Sequence, residues 1–78
     1  MPTNYANYEE FCEGFGRRLD TMLKAAKAGQ KGMQPAMEIL KAEYALAKAQ
    51  GIVKFADIFD IYLRALQGWI NRAEKGTP

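Results

Sequence analysis

The sequence predicts an all-α protein, a compact three-helix bundle with short connections. Three observations point there. Apolar residues recur every three to four positions along three stretches, and nowhere with the period of two that a half-buried strand needs. Gly29, Gly32, Pro35 and Gly51 fall between those stretches, where helices stop and restart. The 78 residues, 49% apolar and 26% charged, suit a single globular domain over 1–78.

The first helix is expected at about 8–28, after a loose Met1 to Tyr5. Asn7 is its N-cap, and Glu10 stands at the capping-box position. Glu9, Glu10 and Glu13 suit the positive end of the helix dipole. Its apolar face is Tyr8, Phe11, Cys12, Phe15, Leu19, Met22, Leu23 and Ala26. Glu13 with Arg17, and Asp20 with Lys24, form i,i+4 pairs on the outside. Gly14 and Gly16 interrupt this helix off its apolar face. Each costs about 1 kcal/mol relative to alanine, and signals a kink, a close approach by another segment, or a later helix start.

The second helix is expected at about 35–50, with Pro35 in its first turn and Gly51 as its stop. Met33, Ala36, Met37, Leu40, Tyr44 and Ala47 share its core face. Ile39 and Leu46 sit nearly opposite. The third helix, about 52–75, organises the rest. Phe55, Ile58, Phe59, Tyr62, Leu63, Leu66, Trp69, Ile70 and several alanines occupy about half its circumference, against the stripe of about 100° that a surface helix needs. The short Gly51 junction predicts that helices two and three meet as an antiparallel or sharply angled pair.

Composition excludes several kinds of chemistry. The chain has no histidine, no serine and one cysteine, Cys12. That removes the Ser-His-Asp and Cys-His arrangements, the Cys/His zinc sites and any intrachain disulfide. Cys12 lies among the core positions of its helix and is expected to be buried. Gly14-Phe15-Gly16 lacks the later glycine and the preceding strand of a dinucleotide site. Asp57 and Asp60 are a carboxylate pair at i,i+3, but Arg64 offers Asp60 an ordinary ion pair. The expectation is a non-enzyme with no catalytic residue, cofactor or metal site. There is no signal-peptide pattern and no apolar run near the 18 residues of a membrane span. Location is expected to be cytoplasmic, without membrane attachment.

Ala45–Ile52 resembles the first helix and turn of a helix-turn-helix motif. Ala47, Gly51 and Ile52 match its alanine, its glycine four residues later and the following apolar residue. The resemblance implies DNA binding by the next helix, yet Asp57 and Asp60 stand where that family has apolar anchors. A separate nucleic-acid reading rests on charge. Net charge is +2. Arg17, Lys24, Lys27 and Lys31 share the outer side of helix one, and Lys41 and Lys48 share a side of helix two. Together they would contact phosphates without reading sequence.

The leading expectation is a small protein-binding module: an adaptor, inhibitor or assembly factor with a protein partner, self-association as a homodimer included. It rests on the missing catalytic set and on the excess apolar arc of helix three. The candidate contacts are Phe55, Ile58, Ile61, Tyr62 and Trp69, with Arg72 at the rim. Ile61 is the sharpest of them, because it lies beyond the main apolar arc.

Overall fold

The computed structural model describes residues 5–76. It is a three-helix bundle of α1 (Tyr8–Lys27), α2 (Gln34–Ala49) and α3 (Ala56–Lys75). The Asn7 side chain accepts a hydrogen bond from the Glu10 backbone N–H at 2.9 Å, which satisfies one of the unpaired donors at the start of α1. The helix runs unbroken through Gly14 and Gly16. It closes with the Gly29 N–H on Ala26 O and the Gln30 N–H on Ala25 O, the paired bonds of a Schellman ending. α2 ends in the same way. The Gly51 N–H reaches Lys48 O, and the Ile52 N–H reaches Ala47 O. Both endings place a glycine at positive φ, 90° at Gly29 and 74° at Gly51.

Gln34 bonds Gln67 while Tyr44 bonds Ala56 and Asp60, so α2 runs antiparallel to α3. Lys54 lies over Tyr8 and Lys27 lies over Trp69, so α1 and α3 run parallel. The path is therefore up, down, up. α1 makes its most extensive contact with α3, while α2 and α3 touch least. Helices two and three thus meet antiparallel, as their short junction predicts, though over the smallest area of the three pairs.

The junction itself departs from expectation. The third helix begins at Ala56, not at Ile52. The Schellman ending consumes Ile52, and Ile52 and Val53 pack partly buried against the core from a non-helical segment. Phe55 then takes a left-handed conformation at φ 56°, which no regular helix accommodates.

The core is aromatic at one end and aliphatic at the other. Phe11 and Phe15 stack with centroids 4.6 Å apart, and Phe59 meets both edge-on at 5.2 and 5.9 Å. Leu19, Met37, Leu40, Leu63, Leu66 and Ile70 fill the rest. Tyr5, expected to be loose, is buried: its ring packs edge-on against Phe11 at 5.4 Å and covers Gly14. Met1–Asn4 and Thr77–Pro78 lie outside the described residues. On α2, Ala36 is exposed and Glu43 is buried, because the stripe turned inward runs Met33, Met37, Leu40, Glu43, Tyr44, Ala47. Cys12 is half-buried rather than buried.

Candidate functional site

The wide apolar arc of α3 divides into two stripes. Phe59, Leu63, Leu66, Ile70 and Ala73 face the bundle, all buried except the half-buried Phe59. Ile58, Ile61, Tyr62, Ala65 and Trp69 form a second stripe about a third of a turn away. That stripe meets water. Ile58 is 52% exposed, Ile61 61% and Tyr62 49%. Phe55, ahead of the helix, is 68% exposed. Isolated exposed hydrophobic side chains need no explanation, whereas a run of them on one helix does.

The exposed stripe borders a groove. Gly16, Leu19, Asp20 and Leu23 of α1 face Ile58, Phe59 and Tyr62 of α3 across an open volume of ≈ 320 Å³. Gly16 is part of the reason the groove exists, since no atom lies within 4 Å of where its Cβ would stand. Further along α3, Ala65, Gly68, Trp69 and Arg72 line a second depression, also ≈ 320 Å³. Trp69 is half-buried there, with Arg72 Cζ 4.8 Å and Lys27 Nζ 5.9 Å from its ring centroid. Two cations over one indole hold the ring in place and give the rim a positive charge.

Of the six residues expected to form an interface, Ile58, Ile61 and Tyr62 lie together on the N-terminal half of α3. Trp69 and Arg72 continue the same line toward its C-terminus. Phe55 sits apart from the helical line, 6.4 Å from the Tyr8 ring. Phe55, Ile58 and Tyr62 belong to the broad apolar arc of the third helix, and all three are exposed.

The basic residues are placed differently. Lys24 pairs with Asp20 at 3.1 Å, and Lys41 lies 3.9 Å from Glu38. Lys27 covers Trp69, and Lys48 covers the Tyr44 ring at 5.2 Å. Arg17 lines a separate depression with Tyr5, Glu10, Glu13 and Arg18. Lys31 lies in the loop beyond α1 and reaches toward Gly76. The six are thus spread over two helices and a loop, and four have a local partner. Lys54 and Phe55, which would belong to a recognition helix starting soon after Gly51, precede α3 altogether.

One cluster was missed in the sequence. Arg18 Nη1 lies 2.6 Å from Glu43 Oε2, and the Tyr5 hydroxyl donates a long 3.4 Å bond to Glu43 Oε1. Burial, and then the Glu43 charge, raise the Tyr5 pKa, while the Glu43 contact raises that of Arg18. The signal was available: Arg18 follows Phe11 and Phe15 at helical spacing, and Glu43 falls between Leu40 and Ala47 in the same way. These groups join α1 to α2, and Tyr5 and Arg18 also line the depression beside Arg17. A second polar tie fixes the start of α3. Tyr44 Oη lies 2.7 Å from Asp60 Oδ1 and 3.0 Å from Ala56 O. Burial first, and then the bond to Asp60, push its pKa well up.

Among the described residues, no three His, Cys, Asp or Glu side chains gather where they would hold a metal ion. No helix among them is long and apolar enough to cross a membrane. Comparison with protein-family models, curated proteins and solved structures found no match to this chain.

Proposed function

We propose that the chain is a small, non-catalytic protein-binding module of the cytoplasm, an adaptor, inhibitor or assembly factor, acting through the outward stripe of α3. The observation that carries this reading is the exposure of Ile58, Ile61 and Tyr62 side by side, next to an apolar groove. Bringing these side chains out of water supplies about 25 cal/mol per Å² of apolar surface. Trp69 and Arg72 extend the line with the residue types that most often anchor interfaces. The dispersal and local pairing of the lysines favours this reading over phosphate contact.

The test is affinity capture from the cells that make the protein, at about 0.15 M salt, where exposed charges are screened beyond about 8 Å. Wild-type chain and an Ile61→Asp variant serve as baits. A stoichiometric protein held by the wild type and lost with I61D is the expected result. Nucleic acid that both baits retain and that leaves at high salt, with no protein partner, overturns the reading.

A further inference from the structure

We infer that the outward stripe of α3 docks against the same stripe of a second copy, antiparallel, about a two-fold axis passing near Ala65. The inference rests on the reading of this stripe as a binding surface and names its occupant.

Shape is the first argument. The N-terminal half of the stripe is the bulky end and the C-terminal half the hollow one around Gly68, although a depression of equal volume also flanks the bulky end. Ile58, Ile61 and Tyr62 project from the N-terminal half of α3, while Ala65, Gly68, Trp69 and Arg72 line the ≈ 320 Å³ depression on the C-terminal half. Gly68 contributes no bulk, and nothing lies within 4 Å of where its Cβ would be. Ile58 and Arg72 stand about 21 Å apart along the helix, with Ala65 midway. A two-fold axis there carries Ile61 and Tyr62 of each copy onto the Gly68–Trp69 hollow of the other. The contact is made twice and closes on itself, as an isologous dimer requires. The spacing Ile58, Ile61, Ala65, Gly68, Arg72 alternates three and four residues, the period at which two helices stay in register.

Charge is the second argument, and it chooses the direction. The first turn of α3 carries Asp57 and its last turn carries Arg72 and Lys75. On α1, Asp20 borders the bulky end and Lys27 borders the hollow one. Antiparallel docking sets Asp57 against the other copy's Arg72 and Lys75, and opposes the two helix dipoles. Parallel docking sets Asp57 against Asp57 and Arg72 against Arg72. Arg64 lies beside the crossing, and its long side chain reaches water.

The experiment is sedimentation equilibrium of the whole chain under reducing conditions, over about 1 µM to 1 mM, where an interface this small dissociates. Circular dichroism confirms that each variant folds. Wild type is expected to show a monomer–dimer equilibrium. Ile61→Asp and Gly68→Leu, which blunt the projection and fill the hollow, are each expected to raise the dissociation constant at least about tenfold. Asp57→Asn is expected to weaken the dimer in the antiparallel arrangement and to tighten it in the parallel one. Four results overturn the proposal: a wild type that stays monomeric, an I61D that dimerises like wild type, a G68L that dimerises like wild type, or a D57N that dimerises more tightly. If the wild type is monomeric yet a foreign protein is captured and lost with I61D, self-docking falls and the binding surface stands.

Discussion

Arg18 bridges both carboxylate oxygens of Glu43 through a single guanidinium nitrogen, across the seam between α1 and α2. The two ends of this bridge are not equivalent. Glu43 is 1% exposed, whereas the Arg18 side chain keeps 40% of its surface in water. Removing the arginine takes the countercharge from a buried carboxylate that keeps its bond from the Tyr5 hydroxyl. Removing the glutamate releases an arginine that can turn outward. Arg18→Met is therefore expected to cost about 3 kcal/mol, and Glu43→Met clearly less. The double variant should lie close to wild type. Urea unfolding of all three gives the order, and an E43M as costly as R18M would show that the asymmetry has no energetic weight.

Tyr44 sets an alkaline limit on the fold. Its folded pKa is raised above the ordinary value near 10, chiefly by burial and by the bond to Asp60. Below about pH 10 the hydroxyl is neutral in both folded and unfolded chains, so it contributes no pH dependence there. Above that, the unfolded chain loses the proton first, and stability falls as pH rises toward the folded value. Tyr5, shifted in the same direction, adds to the slope. Tyr44→Phe is expected to lower stability at neutral pH by about 1 kcal/mol through the lost hydrogen bond. It should also flatten the decline above pH 10. Urea midpoints from pH 8 to 11 measure both effects, and an unchanged slope in Y44F would refute the assignment.

Gly14 and Gly16 should respond to alanine with opposite signs. Alanine gains about 1 kcal/mol over glycine in a helix interior. At Gly16 nothing opposes that gain, because the space is open. At Gly14 the new Cβ would stand 2.7 Å from Tyr5 Cε1. The ring cannot yield without disturbing its edge-on contact with Phe11 and its bond to Glu43. Gly16→Ala is expected to raise the melting temperature and Gly14→Ala to lower it. Equal gains at both positions would mean that Tyr5 moves aside freely.

The helices were legible in the sequence because their signals are local. Asn7 before α1, Pro35 at the start of α2 and Gly51 after it act within one turn of chain. The start of α3 was not legible, because Ile52 to Phe55 continues the apolar period of the helix that follows. Only tertiary packing of Ile52 and Val53, and the left-handed turn at Phe55, separate the two. Burial within the broad arc was equally out of reach. A wheel places Ile58 and Phe59 about 100° apart within one broad apolar arc and cannot say how far α1 extends across it. Ile61 was legible as an outward residue, because it falls outside even the generous arc. Glu43 went unnoticed since a charge on a core stripe is informative only when its partner, Arg18, is considered with it.

Two isoleucines on α3 test the division of its arc directly. Ile70 is 1% exposed in the core, and Ile61, nine residues earlier, is 61% exposed. Ile70→Ala is expected to cost about 2–5 kcal/mol, through lost burial and the cavity left behind. Ile61→Ala should stay within about 0.5 kcal/mol, as surface substitutions do. The comparison is made on monomer at low concentration, so that association does not add to apparent stability. A destabilising I61A under those conditions would place that side chain inside the fold.

Phe55 separates stability from function at a single position. It is the only non-glycine residue at positive φ among those described, and it is 68% exposed, so contact with Tyr8 is the side-chain packing that offsets its backbone strain. Asparagine enters the left-handed region more readily and favours helix starts. Phe55→Asn is expected to raise stability by about 0.5–1 kcal/mol, the scale of relieved strain at one residue. If the phenyl ring also touches a partner, the same change weakens partner capture while the fold gains. Chemical denaturation and capture on one protein preparation supply both numbers. A loss of stability would show that the Tyr8 contact outweighs the strain, and unchanged capture would remove Phe55 from the binding surface while leaving Ile58, Ile61 and Tyr62 on it.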